Sequence, residues 1–173
     1  MIIAISGVGA SGKTTTAKLL AKELKYKLVR LDKLAKKKKF FIGYDKKRKS
    51  YIVSISKLKK EVKKISKKIP NMVLESLYAH EFPADFVFVL RCHPKVLEKR
   101  LEKKYDWPTK IVENNEAEMI GLITQEALDF NKNVFEIDTT KKTPRQTVKS
   151  MKEVLAGKKS RYEAGRIDWL KEL

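Results

Sequence analysis

Gly7 and Gly12 bracket four residues, and a lysine and a hydroxyl, Lys13 and Thr14, follow directly. This spacing is suited to holding a polyphosphate. The glycines, Gly9 among them, let main-chain N–H groups turn inward, and a helix N-terminus behind the loop favours negative charge. Lys13 would reach the β- and γ-phosphates of a nucleotide, and the Thr14 hydroxyl would ligate Mg²⁺. Asp32, Glu75 and Arg91 each stand at the end of an apolar run, where a parallel sheet delivers polar groups to a ligand. Arg91 has a second reading, a cap on a strand end, and Glu75 a second reading as a solvated loop acid. Together the set suits phosphoryl transfer from ATP with Mg²⁺ as cofactor.

These residues need elements to place them. Ile2-Ile3-Ala4-Ile5 is an apolar, β-branched run that reads as a buried parallel strand. Leu19, Leu20 and Leu24 recur at helical spacing behind the loop. Lys27–Leu31 reads as a second strand ending at Asp32, and a short basic helix from Leu34 gives out near Ile42–Asp45. Tyr51–Val53 is a short extended piece. From Lys57 a helix carries Leu58, Val62, Ile65 and Ile69 as a narrow apolar stripe, and Pro70-Asn71 stops it. Met72–Leu74 and Phe86–Leu90 are buried strands leading to Glu75 and Arg91. Pro94 suits the first turn of a helix running to about Lys104. One long helix from about Thr109 to Phe130, a fifth strand at 133–137 and a helix opened by Thr143-Pro144 complete the pattern. Ile167–Leu170 is expected to dock on the body. Alternating strands and helices imply one α/β domain, a parallel sheet with helices on both faces.

Composition bounds the rest. The 173 residues suffice for one domain with a substantial core, and the 42% hydrophobic content is that of a folded protein. A single cysteine, Cys92, excludes an internal disulfide and fits a cytoplasmic setting. The first residues read as a strand entering a nucleotide loop, not as a signal peptide, and no apolar run reaches the length of a membrane span. The net charge of +19 is concentrated: between Lys33 and Lys68 sixteen basic residues face only Asp45 and Glu61. Two readings stay open for that segment, a solvated face and a surface for an anionic partner such as RNA.

In order along the chain, the phosphate loop, Gly43-Tyr44-Asp45, Glu75 followed by His80 and Pro83, Val89-Leu90-Arg91, Leu97–Leu101 and Lys110–Asn114 resemble the adenylate kinase isoenzyme six family. These are small atypical nucleoside monophosphate kinases that are also ATPases of small ribosomal subunit assembly. The resemblance runs from residue 1 to about 155. It implies a five-stranded P-loop NTPase fold with a monophosphate-binding arm near 30–53 and a lid near 103–113. It assigns ATP contact to Ala10, Gly12, Lys13, Thr14 and Thr15, and the Mg²⁺-orienting acid to Glu75. It sets Arg100 against the ATP base and Lys104 at the lid, where the family has an arginine. Lysine supplies that charge without the planar fork. Leu77 stands where the family commonly has a histidine, and His80 fills a second histidine position of archaeal-type members.

Lys13, Glu75 and Arg100 are thus the candidate catalytic residues, and Asp32, Lys36 and Arg91 the candidates for holding the acceptor. The expected reaction is ATP plus AMP to two ADP, with ATPase activity and a ribosomal protein or rRNA as partner. Two alternatives remain: a kinase for a small non-nucleotide acceptor, and an ATP-switched assembly factor with little kinase activity.

Overall fold

The computed structural model describes residues 1–172. Its main sheet is built from β1 (Ile2–Ser6), β2 (Lys27–Arg30), β5 (Met72–Glu75), β6 (Phe86–Arg91) and β7 (Val134–Asp138), in the order β2-β5-β1-β6-β7. Every pairing is parallel. Between these strands run α1 (Lys13–Leu24), α2 (Leu31–Lys38), α3 (Ile55–Lys68), α4 (Pro94–Glu102), α5 (Pro108–Met119) and α6 (Leu122–Phe130), with α7 (Pro144–Leu155) after β7. A separate antiparallel hairpin, β3 (Phe41–Asp45) and β4 (Ser50–Val53), stands apart from the sheet.

Strand alternation sorts the core into two layers. Ala4, Leu74, Val87 and Val89 face one side, packed with Leu58 of α3, Leu97 of α4 and Ala127 of α6. Ile3, Ile5, Val73, Phe88 and Leu90 face the other, packed with Leu20 of α1 and Val148 and Met151 of α7. Apolar runs with both faces covered are what a parallel sheet requires. Thr143 opens α7 with a full capping box, its hydroxyl on the Gln146 N–H and the Gln146 amide on the Thr143 N–H. Among the described residues no helix is long and apolar enough to cross a membrane.

Three expectations change. Residues 41–45 are a strand paired with 50–53, not the frayed end of a helix; the pairing partner lies across a turn, beyond the reach of local periodicity. Asp32 lies in the first turn of α2, which begins at Leu31. The long helix of 109–130 is two helices broken at Ile120-Gly121, where Gly121 takes φ +65°. This left-handed turn, which glycine adopts without strain, packs against the Arg91 guanidinium.

Arg91 is accordingly no acceptor ligand in this structure. Its side chain is 2% exposed, donates to Glu118 Oε1 at 2.7 Å and also pairs with Glu136. Glu118 takes further hydrogen bonds from the Cys92 N–H and Trp169 Nε1, and Glu136 from the N–H groups of Gly165 and Ile167. The C-terminal segment therefore does dock, through Trp169. Removing Arg91 would strand two buried carboxylates, so Arg91→Ala is expected to cost about 3–5 kcal/mol of stability. A denaturant titration reads this directly; a residue that only held an acceptor would leave stability unchanged and raise KM.

Candidate active site

β1 ends in a turn that only glycine makes easily. Gly7 has φ +137°, and a Cβ there would approach the Leu90 carbonyl oxygen to 2.6 Å. At the other end of the loop Gly12 is left-handed and caps α1 without any side-chain hydrogen bond, and the first turn contains no acid. A helix start leaves N–H groups that need an acceptor. Thr16 N–H is met by the Gly12 carbonyl, and the amides ahead of it are available to a phosphate. This uncapped start, with a lysine in its first turn, fits an anion.

Lys13 Nζ folds over the loop and donates to the Val8 carbonyl at 2.7 Å. Burial, and secondarily the charge of Lys104, lower its pKa to about 8. The charged form is what attracts a phosphate. ATP affinity is therefore expected to hold below pH 8 and to fall above it, by up to about tenfold per unit, as the free loop loses its proton. Lys104→Met should move that midpoint upward. Calorimetric titration of ATP between pH 7 and 9.5 checks both.

Glu75, 3% exposed, completes the floor. Its Oε1 accepts from Thr14 Oγ1 at 3.1 Å and its Oε2 from Arg30 Nε at 2.9 Å. Thr14 and Glu75 thus bring two hard oxygens together, a donor pair suited to Mg²⁺, which commonly takes few protein ligands and completes its shell with water and phosphate. Asp32 accepts from Ser76 Oγ at 3.1 Å and Tyr78 Oη at 2.7 Å, and the Tyr78 phenol is pushed up by burial and then by that carboxylate. Burial lowers the His80 pKa to about 4. The ring is therefore neutral, and its Nε2 lies 3.3 Å from a Glu126 carboxylate oxygen without an ion pair.

These groups line a cleft of about 760 Å³. It is lined by Lys13, Thr14 and Glu75, by Arg30, Asp32 and Tyr78, and by Lys104, Lys110 and Glu113. Arg48 at the hairpin turn reaches across to Glu113 (Nε to Oε2, 3.0 Å), and Lys49 Nζ lies 3.7 Å from the Trp107 ring centre. The Gly9 N–H donates to Asn114 Oδ1 at 2.7 Å, tying the phosphate loop to α5. A second depression, about 260 Å³, lies on the other side of the loop between Ala10, Gly12, Thr15, Arg100 and Thr147. A shallow groove of about 600 Å³ between α1 and the start of α7 contains neither Lys13 nor Glu75.

The sequence candidates are thus divided. Gly9, Lys13, Thr14, Asp32, Glu75 and Lys104 share the large cleft. Ala10, Gly12, Thr15 and Arg100 border the smaller depression, where Arg100 donates to the Thr139 and Thr140 carbonyls at 3.0 Å each. Arg100 therefore borders a different recess from the one that holds Glu75. Lys36 is exposed in the last turn of α2, outside the cleft. Sequence reasoning missed Arg30, Arg48, Tyr78 and Asn114. Arg30 faces Glu75 only through the register of β2 against β5, and the other three reach the cleft through tertiary contacts.

The same arrangement of sheet and helices recurs in a shikimate kinase from Acinetobacter baumannii (TM-score 0.63, 15% identity, 92% of this chain and 94% of that one). It recurs as well in a deoxyadenosine kinase from M. mycoides (TM-score 0.61, 16% identity, 90% and 99%). The fold is that of P-loop kinases, and with the relatives that follow the protein is a phosphotransferase. The chain belongs to the AAA domain family, which matches residues 3–121. It is also 36% identical to a protein of Methanosarcina acetivorans over 98% of both chains. A protein of Pyrococcus furiosus is 42% identical, over 99% of this chain and 92% of its own. Both relatives bear the provisional name adenylate kinase.

Proposed function

We propose that the protein is a Mg²⁺-dependent nucleoside monophosphate kinase converting ATP and AMP to two ADP, with ATPase activity and a cytoplasmic role in small ribosomal subunit assembly, as in the adenylate kinase isoenzyme six family. One observation carries the kinase reading: two separate recesses meet at the phosphate loop. The smaller suits the base of ATP, flanked by Arg100. The larger lies within the usual volume of small-molecule sites and suits an acceptor.

In this reading Ala10, Gly12, Lys13 and Thr15 hold the phosphates, and Thr14 and Glu75 hold Mg²⁺, which when bound neutralises charge on the transferring group. Arg30 orients Glu75 through the hydrogen bond from its Nε. Asp32, Tyr78 and Arg48 receive the acceptor, with residues 30–53 as its arm. The lid, 103–113, brings Lys104 and Lys110 over the phosphates. The Arg48–Glu113 bridge supports a contact between arm and lid, and closure of both would exclude the water that otherwise hydrolyses ATP. With positioning and charge neutralisation the main contributions, no covalent intermediate is needed.

A coupled assay of ADP formation from ATP with AMP, CMP, UMP, GMP or shikimate, and from ATP alone, tests this. AMP is expected to give the fastest turnover. Fast turnover with shikimate and none with nucleotides would establish the small-acceptor alternative instead. Equal rates with and without AMP would favour the ATP-switched assembly factor. The observation behind the ribosomal part is the charge of residues 33–68, net +14 of the chain's +19. Lys60, Lys63, Lys64, Lys67 and Lys68 of α3 are all exposed, available to rRNA or to an acidic stretch of a ribosomal protein.

A further inference from the structure

The hairpin β3–β4 contains four large apolar side chains that stay in solvent: Ile42 (68% exposed), Tyr44 (50%), Tyr51 (63%) and Ile52 (47%). Single exposed apolar residues are ordinary, but Tyr44 and Tyr51 are exposed side by side on one face of the hairpin. Ser50 lines the cleft, and side chains alternate along a strand, so Tyr51 points to the opposite face. Tyr44 is its direct partner in register and shares that face. The rings form a continuous row: Phe41 stacks on Tyr51 (centroids 4.7 Å, 28°), and Tyr44 meets Tyr51 edge-on (5.2 Å, 69°). This row is on the side of the hairpin away from the acceptor cleft.

Charge frames it. Lys46 and Lys47 are exposed in the turn at the tip, and Lys37 and Lys39 are exposed at the base. The only acid in the hairpin, Asp45, is engaged by Arg48, which donates to it through its backbone N–H at 2.9 Å. Lysines flanking exposed aromatic faces are what a flexible polyanion with π-surfaces recognises: phosphates meet the cations and unstacked bases lie on the rings. An anionic lipid surface would satisfy the lysines equally. The mutually packed tyrosines, with hydroxyls on their rims, suit base stacking better than insertion among acyl chains.

We propose that the outer face of this hairpin binds single-stranded nucleic acid, with Tyr44 and Tyr51 stacking on bases and Lys46, Lys47 and Lys39 contacting phosphates. The proposal deepens the RNA side of the function above and depends on that reading only for where the RNA comes from. It is independent of the acceptor and of phosphoryl transfer.

The test is fluorescence anisotropy of a labelled 15-nucleotide oligouridine with the full chain across a KCl series, without nucleotide. Wild type is expected to bind with log Kd linear in log salt. Tyr44→Ala/Tyr51→Ala should weaken binding at least about tenfold with the salt slope unchanged, because stacking releases no counterions. Tyr44→Phe/Tyr51→Phe keeps the rings and should bind within about twofold of wild type. Lys46→Gln/Lys47→Gln should reduce the slope by about 1.4, at about 0.7 per single-strand phosphate contact. The loss in the alanine pair should vanish for a duplex of equal length, whose bases are already stacked. If the alanine pair does not fold, the lysine pair, which leaves the rings in place, decides. No binding by wild type, wild-type affinity in the alanine pair, an unchanged slope in the lysine pair, or full displacement by ATP and AMP would each overturn the proposal. So would binding to phosphatidylserine vesicles with none to the oligonucleotide.

Discussion

Lys13→Ala is expected to lower phosphotransfer by about two to three orders of magnitude while leaving the protein at least as stable. The two halves of this expectation have one cause. Lys13 is half-buried, and its pKa of about 8 means that holding a charge there is less favourable than in water in the absence of phosphate. Its one hydrogen bond is to the Val8 carbonyl in its own loop. Deleting the side chain therefore relieves a desolvation penalty and removes little packing. In the transition state the balance reverses: the ammonium faces charge spread over the phosphoryl oxygens, where one preorganised donor contributes about 10²–10³ in rate. Steady-state kinetics with a thermal melt on the same sample check both. Wild-type turnover in the folded variant would remove the loop from the reaction; a large fall in melting temperature would make Lys13 a structural residue.

Glu75→Gln is the second large effect, expected to lower kcat about a hundredfold or more while changing ATP affinity only a few-fold. The amide keeps the shape of the carboxylate, so Thr14 can still bond to it. What is lost is the negative charge that orients Mg²⁺ and balances Arg30, and this loss is felt most where charge develops. The unpaired Arg30 guanidinium, still partly exposed, should cost stability modestly. The Mg²⁺ concentration needed for half-maximal rate should rise in the variant. Unchanged Mg²⁺ dependence at full activity would exclude Glu75 from metal orientation.

The phosphate loop, the parallel strands and their helices were legible because their signals are local. Glycine spacing sets the loop, β-branched runs with no polar face mark buried strands, and Leu58, Val62 and Ile65 recur at helical period on α3. The positions of Lys13, Thr14 and Glu75 follow from these elements once the sheet is parallel. Composition likewise located the lysine-rich segment, since charge can be counted without coordinates.

Only the tertiary structure decided between the roles of residues with the same local signature. Glu75 and Arg91 both end buried strands, yet Glu75 opens on the cleft and Arg91 is enclosed by Glu118 and Glu136. Nothing in either strand distinguishes them; the difference comes from α5, α6 and the C-terminal segment folding over β6. Arg30 became a partner of Glu75 through register, and Arg48 joined Glu113 across 65 positions of chain. Tyr51–Val53 read as extended, but its pairing with the strand that carries Tyr44 was hidden for the same reason. A strand exists by pairing, and pairing is settled by a partner elsewhere in the chain, whereas a helix satisfies its backbone within its own residues.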